Sequence, residues 1–308
     1  MTLTRRNLLA ALAAAAARGA TSPAGLNRLS VINDEAGMTR DETYAFAKEF
    51  GIGALELRSA QKPKLEYVET LPEAELKELA RQLADRGVRA SVLDSSLLKI
   101  VFPGTKPVST EDFYIKYYAG LGLTDEGMYR DRMDMLKRTI NAAHIVGAPK
   151  IRVFAFWRVA DPRTIFRQLA DHVAAMAEVA VKEKVQLVLE NETSTNVATS
   201  EEAAEMMRLV PSSALGINWD PQNSVALEAE PFPAGLAKLP KNRIGNVHVK
   251  AEGLFGPKHP LDWAAIMRAL VEGGYQGRFS LETHRGHTAE NVVWSRKCIE
   301  KMKAIVPA

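Results

Sequence analysis

The strongest constraint on the fold is a short stretch, Gln186 to Glu192 (QLVLENE), an apolar run too brief for a helix that stops at two carboxylates. It reads as a buried parallel strand. Side chains alternate across a strand, so Leu187 and Leu189 share one face while Val188, Glu190 and Glu192 share the other. Three later stretches repeat the design: Ala214 to Asp220 (ALGINWD), Gly245 to Lys250 (GNVHVK) and Arg278 to His284 (RFSLETH). In each, a metal-competent residue shares its face with small or polar neighbours. Asp220 goes with Asn218 and Gly216, His248 with Asn246, and Glu282 with Ser280. Ile217, Trp219, Val247, Val249, Phe279 and Leu281 take the opposite face. In a parallel barrel the apolar face packs under helices and the other fills the centre, so residues at the carboxyl ends of four strands converge there. Glu190, Asp220, His248 and Glu282 then form a mixed oxygen and nitrogen site for one divalent cation.

The rest of the chain supplies the remaining strands. Strand patterns at 29–33, 54–58, 88–93, 150–154, 186–190, 215–219, 244–249 and 278–283 alternate with helical patterns at 40–50, 72–86, 125–146, 162–183, 200–209, 262–272 and 288–305. The helix of the sixth unit is placed only loosely, between Gln222 and Lys238. Alternation at this spacing predicts α/β architecture, a single (β/α)8 TIM barrel over residues 27–308. One connection is abnormal. About thirty residues separate Asp94 from Thr124, with Phe102, Phe113, Tyr114, Tyr117 and Tyr118 among them, against a usual link of about two to six residues. It reads as a lid over the barrel mouth, or else as a short helix around 112–118 packed on the rim. Its aromatics, together with Phe156 and Trp157 after the fourth strand, are candidates to stack on sugar faces.

The first 22 residues are of another kind. Arg5 and Arg6 precede Asn7, Leu8 and Leu9 and an alanine-rich run to Ala17, which resembles a twin-arginine export signal and is too short to span a bilayer. The expectation is recognition by the twin-arginine export machinery, a periplasmic location and no stable membrane insertion after processing. Removing residues 1–20 deletes three arginines and no acid, which brings the formal charge from +3 to zero. A neutral mature chain is a poor nucleic-acid binder. The single cysteine, Cys298, excludes an internal disulfide and reads as a buried, inert thiol. Nothing in the sequence specifies an oligomer or forbids one.

Other polar residues near the strand ends are candidates for substrate contact. Glu192 is a ligand, a partner of a ligand or a solvated loop acid, with the second preferred. Lys250 shares the face of His248 and suits a substrate oxyanion or a rim salt bridge. His284 and His287 follow the eighth strand, whereas His144 and His172 fall in helices and read as structural. Glu56 and Arg58 reach the barrel mouth, where they contact substrate or pair with each other.

The endings LEN at Glu190, WDPQN at Asp220, HVK at His248 and SLE at Glu282 resemble the metal-binding strand ends of the xylose-isomerase-like sugar isomerases and epimerases, the group holding the D-tagatose and D-psicose 3-epimerases. NDE at Asp34 and Glu35 and LELR at Glu56 to Arg58 are similar to that group's first two strands. The resemblance implies a Mn²⁺-like ion, with Mg²⁺, Co²⁺ or Zn²⁺ as alternatives, on Glu190, Asp220, His248 and Glu282. It also implies that Glu190 and Glu282 are catalytic, one removing a proton from a carbohydrate substrate and the other returning it through an enediolate. Glu56, Arg58, Trp157, Glu192, Asn223, Lys250 and His284 are then the expected substrate-binding set. The chain departs from the 3-epimerases at Asn223, where they usually have histidine, at Ala251, where they often have aspartate, and at Leu254, where they have arginine. The same site would also serve a lyase or hydratase acting on a keto-sugar or keto-glycoside, and an inactive copy would remain a carbohydrate-binding barrel.

Overall fold

The computed structural model describes residues 25–257, 261–285 and 288–308. The leader at 1–22 and His287 lie outside the described residues. Eight strands, β1 Leu29–Ile32, β2 Ala54–Leu57, β3 Arg89–Leu93, β4 Lys150–Val153, β5 Gln186–Glu190, β6 Leu215–Trp219, β7 Ile244–Val249 and β8 Phe279–Leu281, close in chain order into a parallel barrel. β8 pairs with β1 to complete the ring, with Ser280 beside Ser30. The full-length helices are α1 Arg40–Phe50, α2 Glu73–Asp85, α3 Asp112–Gly120, α4 Asp125–Val146, α5 Phe166–Glu183, α6 Ser200–Leu209, α7 Trp263–Glu272 and α8 Ala289–Ile305. Among the described residues no helix is long and apolar enough to cross a membrane.

Local chemistry starts and stops these helices where the sequence suggests. Thr39 and Glu42 form a reciprocal capping box at α1, and Thr199 and Glu202 form another at α6. Gly51 ends α1 and Gly147 ends α4, each in the left-handed conformation that glycine adopts without a Cβ penalty. The sixth unit is the exception. In place of one helix, 221–238 holds a four-residue turn, a distorted segment with non-helical Phe232 and a last short turn. Pro221, Pro231 and Pro233 each remove a backbone donor, which prevents a continuous ladder there. The long connection folds the expected short helix, α3, which carries Phe113 and Tyr114 to the mouth of the barrel.

Strand parity sorts the core into two layers. Leu187, Leu189, Leu215, Ile217, Trp219, Val247, Phe279 and Leu281 are fully buried between the barrel wall and its helices. Inside the barrel the bottom is packed by small groups. A Cβ on Gly216 would stand 2.9 Å from the Arg243 carbonyl oxygen, and one on Gly245 would stand 2.8 Å from Val188 Cγ1. Only glycine leaves room there. Above this floor the interior becomes polar and charged, which places the chemistry at the carboxyl ends of the strands. The outer layer should set the stability: Ile217→Ala removes a fully buried side chain from a packed wall and should lower unfolding free energy by about 2–5 kcal/mol. Urea unfolding monitored by circular dichroism checks this, and a loss below 1 kcal/mol would contradict the assigned packing.

Candidate active site

The four expected ligands converge. Glu190 ends β5, Asp220 follows β6, His248 lies within β7 and Glu282 follows β8; one ligand atom from each lies within 4.8 Å of the others. All four residues are buried. What makes the group a binding site is how the spare atoms are held. Asp220 caps the turn Pro221–Ser224, its Oδ1 accepting from the Gln222 and Asn223 amides at 2.8 and 3.1 Å, which leaves Oδ2 with no hydrogen bond. Glu282 Oε1 accepts from Arg58 Nη1 at 3.1 Å and leaves Oε2 likewise without one. Glu190 Oε2 accepts from Arg152 Nη1 at 3.1 Å and Asn218 Nδ2 at 3.0 Å. His248 Nε2 stands 2.9 Å from Glu56 Oε2, while Nδ1 faces Glu190 Oε1 at 3.6 Å and Glu282 Oε2 at 3.5 Å.

An ionised carboxylate only accepts, so Glu56 holds a proton on Nε2, and Nδ1 is the nitrogen that a cation would take by displacing a proton. Apart from the nearby Lys250 ammonium, the buried Asp220 Oδ2 and Glu282 Oε2 have no donor, so a cation would offset the cost of burying them. Two such oxygens, a third carboxylate and an imidazole nitrogen fit a divalent metal in number and in donor type. Lys250 is the competing charge. Its Nζ lies 3.0 Å from Asp220 Oδ2 and 3.4 Å from Glu282 Oε2, and it donates to Asn223 Oδ1 at 2.5 Å.

The electrostatics follow from burial and from these contacts. Burial opposes charge on Glu190, but Arg152 and then His248 outweigh it and hold the carboxyl down at about 2. Burial likewise opposes charge on Glu282, yet Lys250 and His248 hold it well below the usual carboxylate range. Asp220 is raised by burial despite Lys250. His248 loses hydration by burial, but Glu56 and Glu190 more than compensate and raise it well above an ordinary histidine. His284 is lowered to about 4 by the charge of Lys250 and by burial, so it is neutral at neutral pH. Its backbone is left-handed, at φ 59°, an uncommon conformation for a residue with a side chain.

A cavity of about 320 Å³ opens over the cluster, lined by Glu190, Glu192, Glu282, Arg58, Arg152, His284, Lys99, Glu111, Phe154, Phe113 and Tyr114 among others. A larger groove of about 1040 Å³ lies between α5 and α6, outside the barrel, lined by pairs such as Arg158 with Glu202 and by none of the four ligands. Size alone does not mark the site. Glu192 lines the small cavity and stands outside the ligand group. Asn223 Nδ2 links it to the cluster by donating to Glu190 Oε1 at 3.2 Å and Glu192 Oε2 at 3.3 Å.

Two expectations change. Glu56 and Arg58 do not pair with each other. Glu56 lies inside the ring, bound to His248 and to Asn246 at 2.6 Å, whereas Arg58, beyond the end of β2, reaches Asp34, Glu35 and Glu282 at 3.0, 2.7 and 3.1 Å. Trp157 does not line the cavity. It is 2% exposed, bridges to Thr195 and sits behind Tyr114, because the chain turns after Phe154 and sends Phe156 and Trp157 into the core. Phe154 takes the lining position, flanked by Lys99 Nζ at 4.4 Å and the Arg152 guanidinium at 5.0 Å. His144 and His172 are structural, bonded to the Glu183 carbonyl and near Tyr129 respectively. Arg152, Asp94, Lys99 and Glu111 escaped the sequence reading. Arg152 and Asp94 carried signals, a charge in the middle of the apolar strand KIRVF and an acid directly after the strand RASVL; Lys99 and Glu111 sit in a connection with no pattern to mark them.

The model of the xylose isomerase-like TIM barrel family matches residues 44–303. The chain belongs to that family. A fructoselysine 3-epimerase of Shigella flexneri is 24% identical over 202 residues, which are 62% of this chain and 72% of that protein. Among solved structures, D-psicose 3-epimerase with D-tagatose, from Clostridium cellulolyticum H10, superposes with a TM-score of 0.67 at 11% identity over 91% of this chain and 100% of that one. The IOLI protein with a bound zinc atom superposes at 0.66 with 16% identity, over 90% and 96% of the two chains. At such identities these structures show the fold, and family members include sugar epimerases.

Proposed function

We propose that this chain is a divalent-metal-dependent isomerase or epimerase of a free or oxidised sugar, and that Glu190 and Glu282 exchange a proton with the substrate. The observation that carries the reading is the paired arrangement of those glutamates: each has one oxygen tied to a buried arginine and its other oxygen in the shared cluster under the cavity. The family and the name of the fructoselysine relative support a carbohydrate substrate. A cation on Glu190, Asp220, His248 and Glu282, with Mn²⁺ the expected ion, supplies positive charge that acidifies the C–H beside a carbonyl. Glu190 and Glu282 are ionised, so one can take that proton and later release it to water in the cavity, while the other returns a proton that it has first taken from that water. Lys250 Nζ stands beside both Asp220 and Glu282, where its charge stabilises an oxyanion as the proton leaves. His284, Arg58 and Glu192 line the same space, where they would orient the hydroxyl groups, and Asn223 ties Glu190 to Glu192 beside it.

Incubating the Mn²⁺-loaded protein with ketoses, aldoses and 3-keto-sugars, followed by NMR, tests the proposal. Interconversion of stereoisomers or of ketose and aldose supports it. Loss of a leaving group would make the protein a lyase or hydratase, and metal and sugar binding without turnover would make it a carbohydrate-binding barrel.

The same reading includes export. Replacing Arg5 and Arg6 by Lys should retain most of the protein in the cytoplasm of a bacterial host, as cell fractionation would show. Unchanged export of that variant would assign the leader to the general secretory route.

A further inference from the structure

Arg152 lies on β4 inside the barrel and is 2% exposed. Its guanidinium is anchored by the residues that follow β3: Nε donates to the Ser95 carbonyl at 3.3 Å and lies 3.3 Å from Asp94 Oδ1, and Nη2 reaches the Asp94 carbonyl at 3.5 Å. The remaining arm, Nη1, donates to Glu190 Oε2 at 3.1 Å. Asn218 Nδ2 donates to the same oxygen at 3.0 Å, and Oε1, which accepts from Asn223 Nδ2 at 3.2 Å, is the oxygen that faces His248 Nδ1, at 3.6 Å. An arginine fork is rigid and planar, so fixing two of its corners fixes the third. We propose that Arg152 is a positioning residue for the metal glutamate Glu190: it holds Oε2 away from the centre and so presents Oε1 to the cation. This rests on the metal reading above.

A competing explanation is that Arg152 merely neutralises buried Asp94. The two accounts differ in sign. Arg152 carries a positive charge beside a cation site, so as a mere charge it repels the cation, and its removal would tighten metal binding. As a positioning residue its removal loosens Glu190 and weakens binding, by about 10–100-fold if it behaves as the partners of metal ligands usually do.

The test measures Mn²⁺ affinity by isothermal titration calorimetry in the full chain, with circular dichroism and thermal melting to verify folding. Arg152→Met combined with Asp94→Asn removes one charge of each sign, leaves no orphaned buried carboxylate at position 94 and keeps the net charge. Arg152→Lys keeps the charge and cannot hold Glu190 and the Ser95 carbonyl together. The expected result is weaker Mn²⁺ binding in both, about 10–100-fold in the double variant and less in the lysine variant. If one variant fails to fold, the other decides. Unchanged or tighter binding in a folded variant overturns the assignment. Wild-type protein that binds no Mn²⁺ would overturn the metal reading first, and the role of Arg152 with it.

Discussion

Asp220→Ala and His248→Ala should each weaken divalent-metal binding at least about 100-fold, because each removes a direct ligand from a buried four-residue group. The geometry argues for severity. Asp220 Oδ2 and Glu282 Oε2 have the Lys250 ammonium at 3.0 and 3.4 Å, so a cation must compete with it and needs every ligand of the group. Glu56 and Asp94 form a separate group with His248, in which Glu56 is hydrogen-bonded to His248 and Asn246 and Asp94 lies 3.3 Å from Arg152. Acid should have the same direction of effect. His248 is raised well above an ordinary histidine by Glu56 and Glu190, so lowering the pH protonates Nδ1 and displaces the cation. Affinity therefore falls as pH falls. Metal analysis of the purified variants, with calorimetry across a pH series, checks both statements. Normal occupancy in both alanine variants would remove the assignment.

Glu190→Gln and Glu282→Gln should suppress proton transfer. Turnover of a verified substrate in D₂O should place deuterium on the carbon next to the carbonyl, provided the abstracted proton equilibrates with solvent. Glutamine keeps the shape and a ligand oxygen but loses the charge and the basic lone pairs. The exchange rate should drop by about 10² to 10⁴-fold, the usual contribution of a general acid or base. Metal content must be followed in the same samples, since a larger fall with metal lost would identify only a ligand. The two variants also separate two environments. Glu190 accepts hydrogen bonds on both oxygens, from Arg152, Asn218 and Asn223, whereas Glu282 accepts only from Arg58 among the described residues and has Lys250 3.4 Å from its other oxygen. Near-normal exchange in both metal-loaded variants would exclude the two-glutamate mechanism and direct attention to Lys250 and His284.

The sequence by itself determined the barrel and the four converging strand ends. Both follow from period: alternation across a strand is strict, so a polar residue at the right parity of QLVLENE or GNVHVK can only face the barrel interior. Strands β5, β6 and β7 accordingly have the bounds read from the sequence, and Glu190, Asp220, His248 and Glu282 meet. Periodicity says nothing about height along the barrel axis or about which charge finds which. Those were decided by tertiary structure. Glu56 and Arg58 stand two residues apart, yet one lies beside His248 and the other bridges to Asp34, Glu35 and Glu282, because closure of the ring through β1 and β8 brings β7 and β8 within reach of β2. The pairing of β4 with β5, with Arg152 beside Val188, places Arg152 one step below Glu190. Lys99 and Glu111, from a connection without regular pattern, reach the wall of the cavity. Trp157 shows the converse: an aromatic in a suggestive place turns inward because a loop after a strand has no parity to obey.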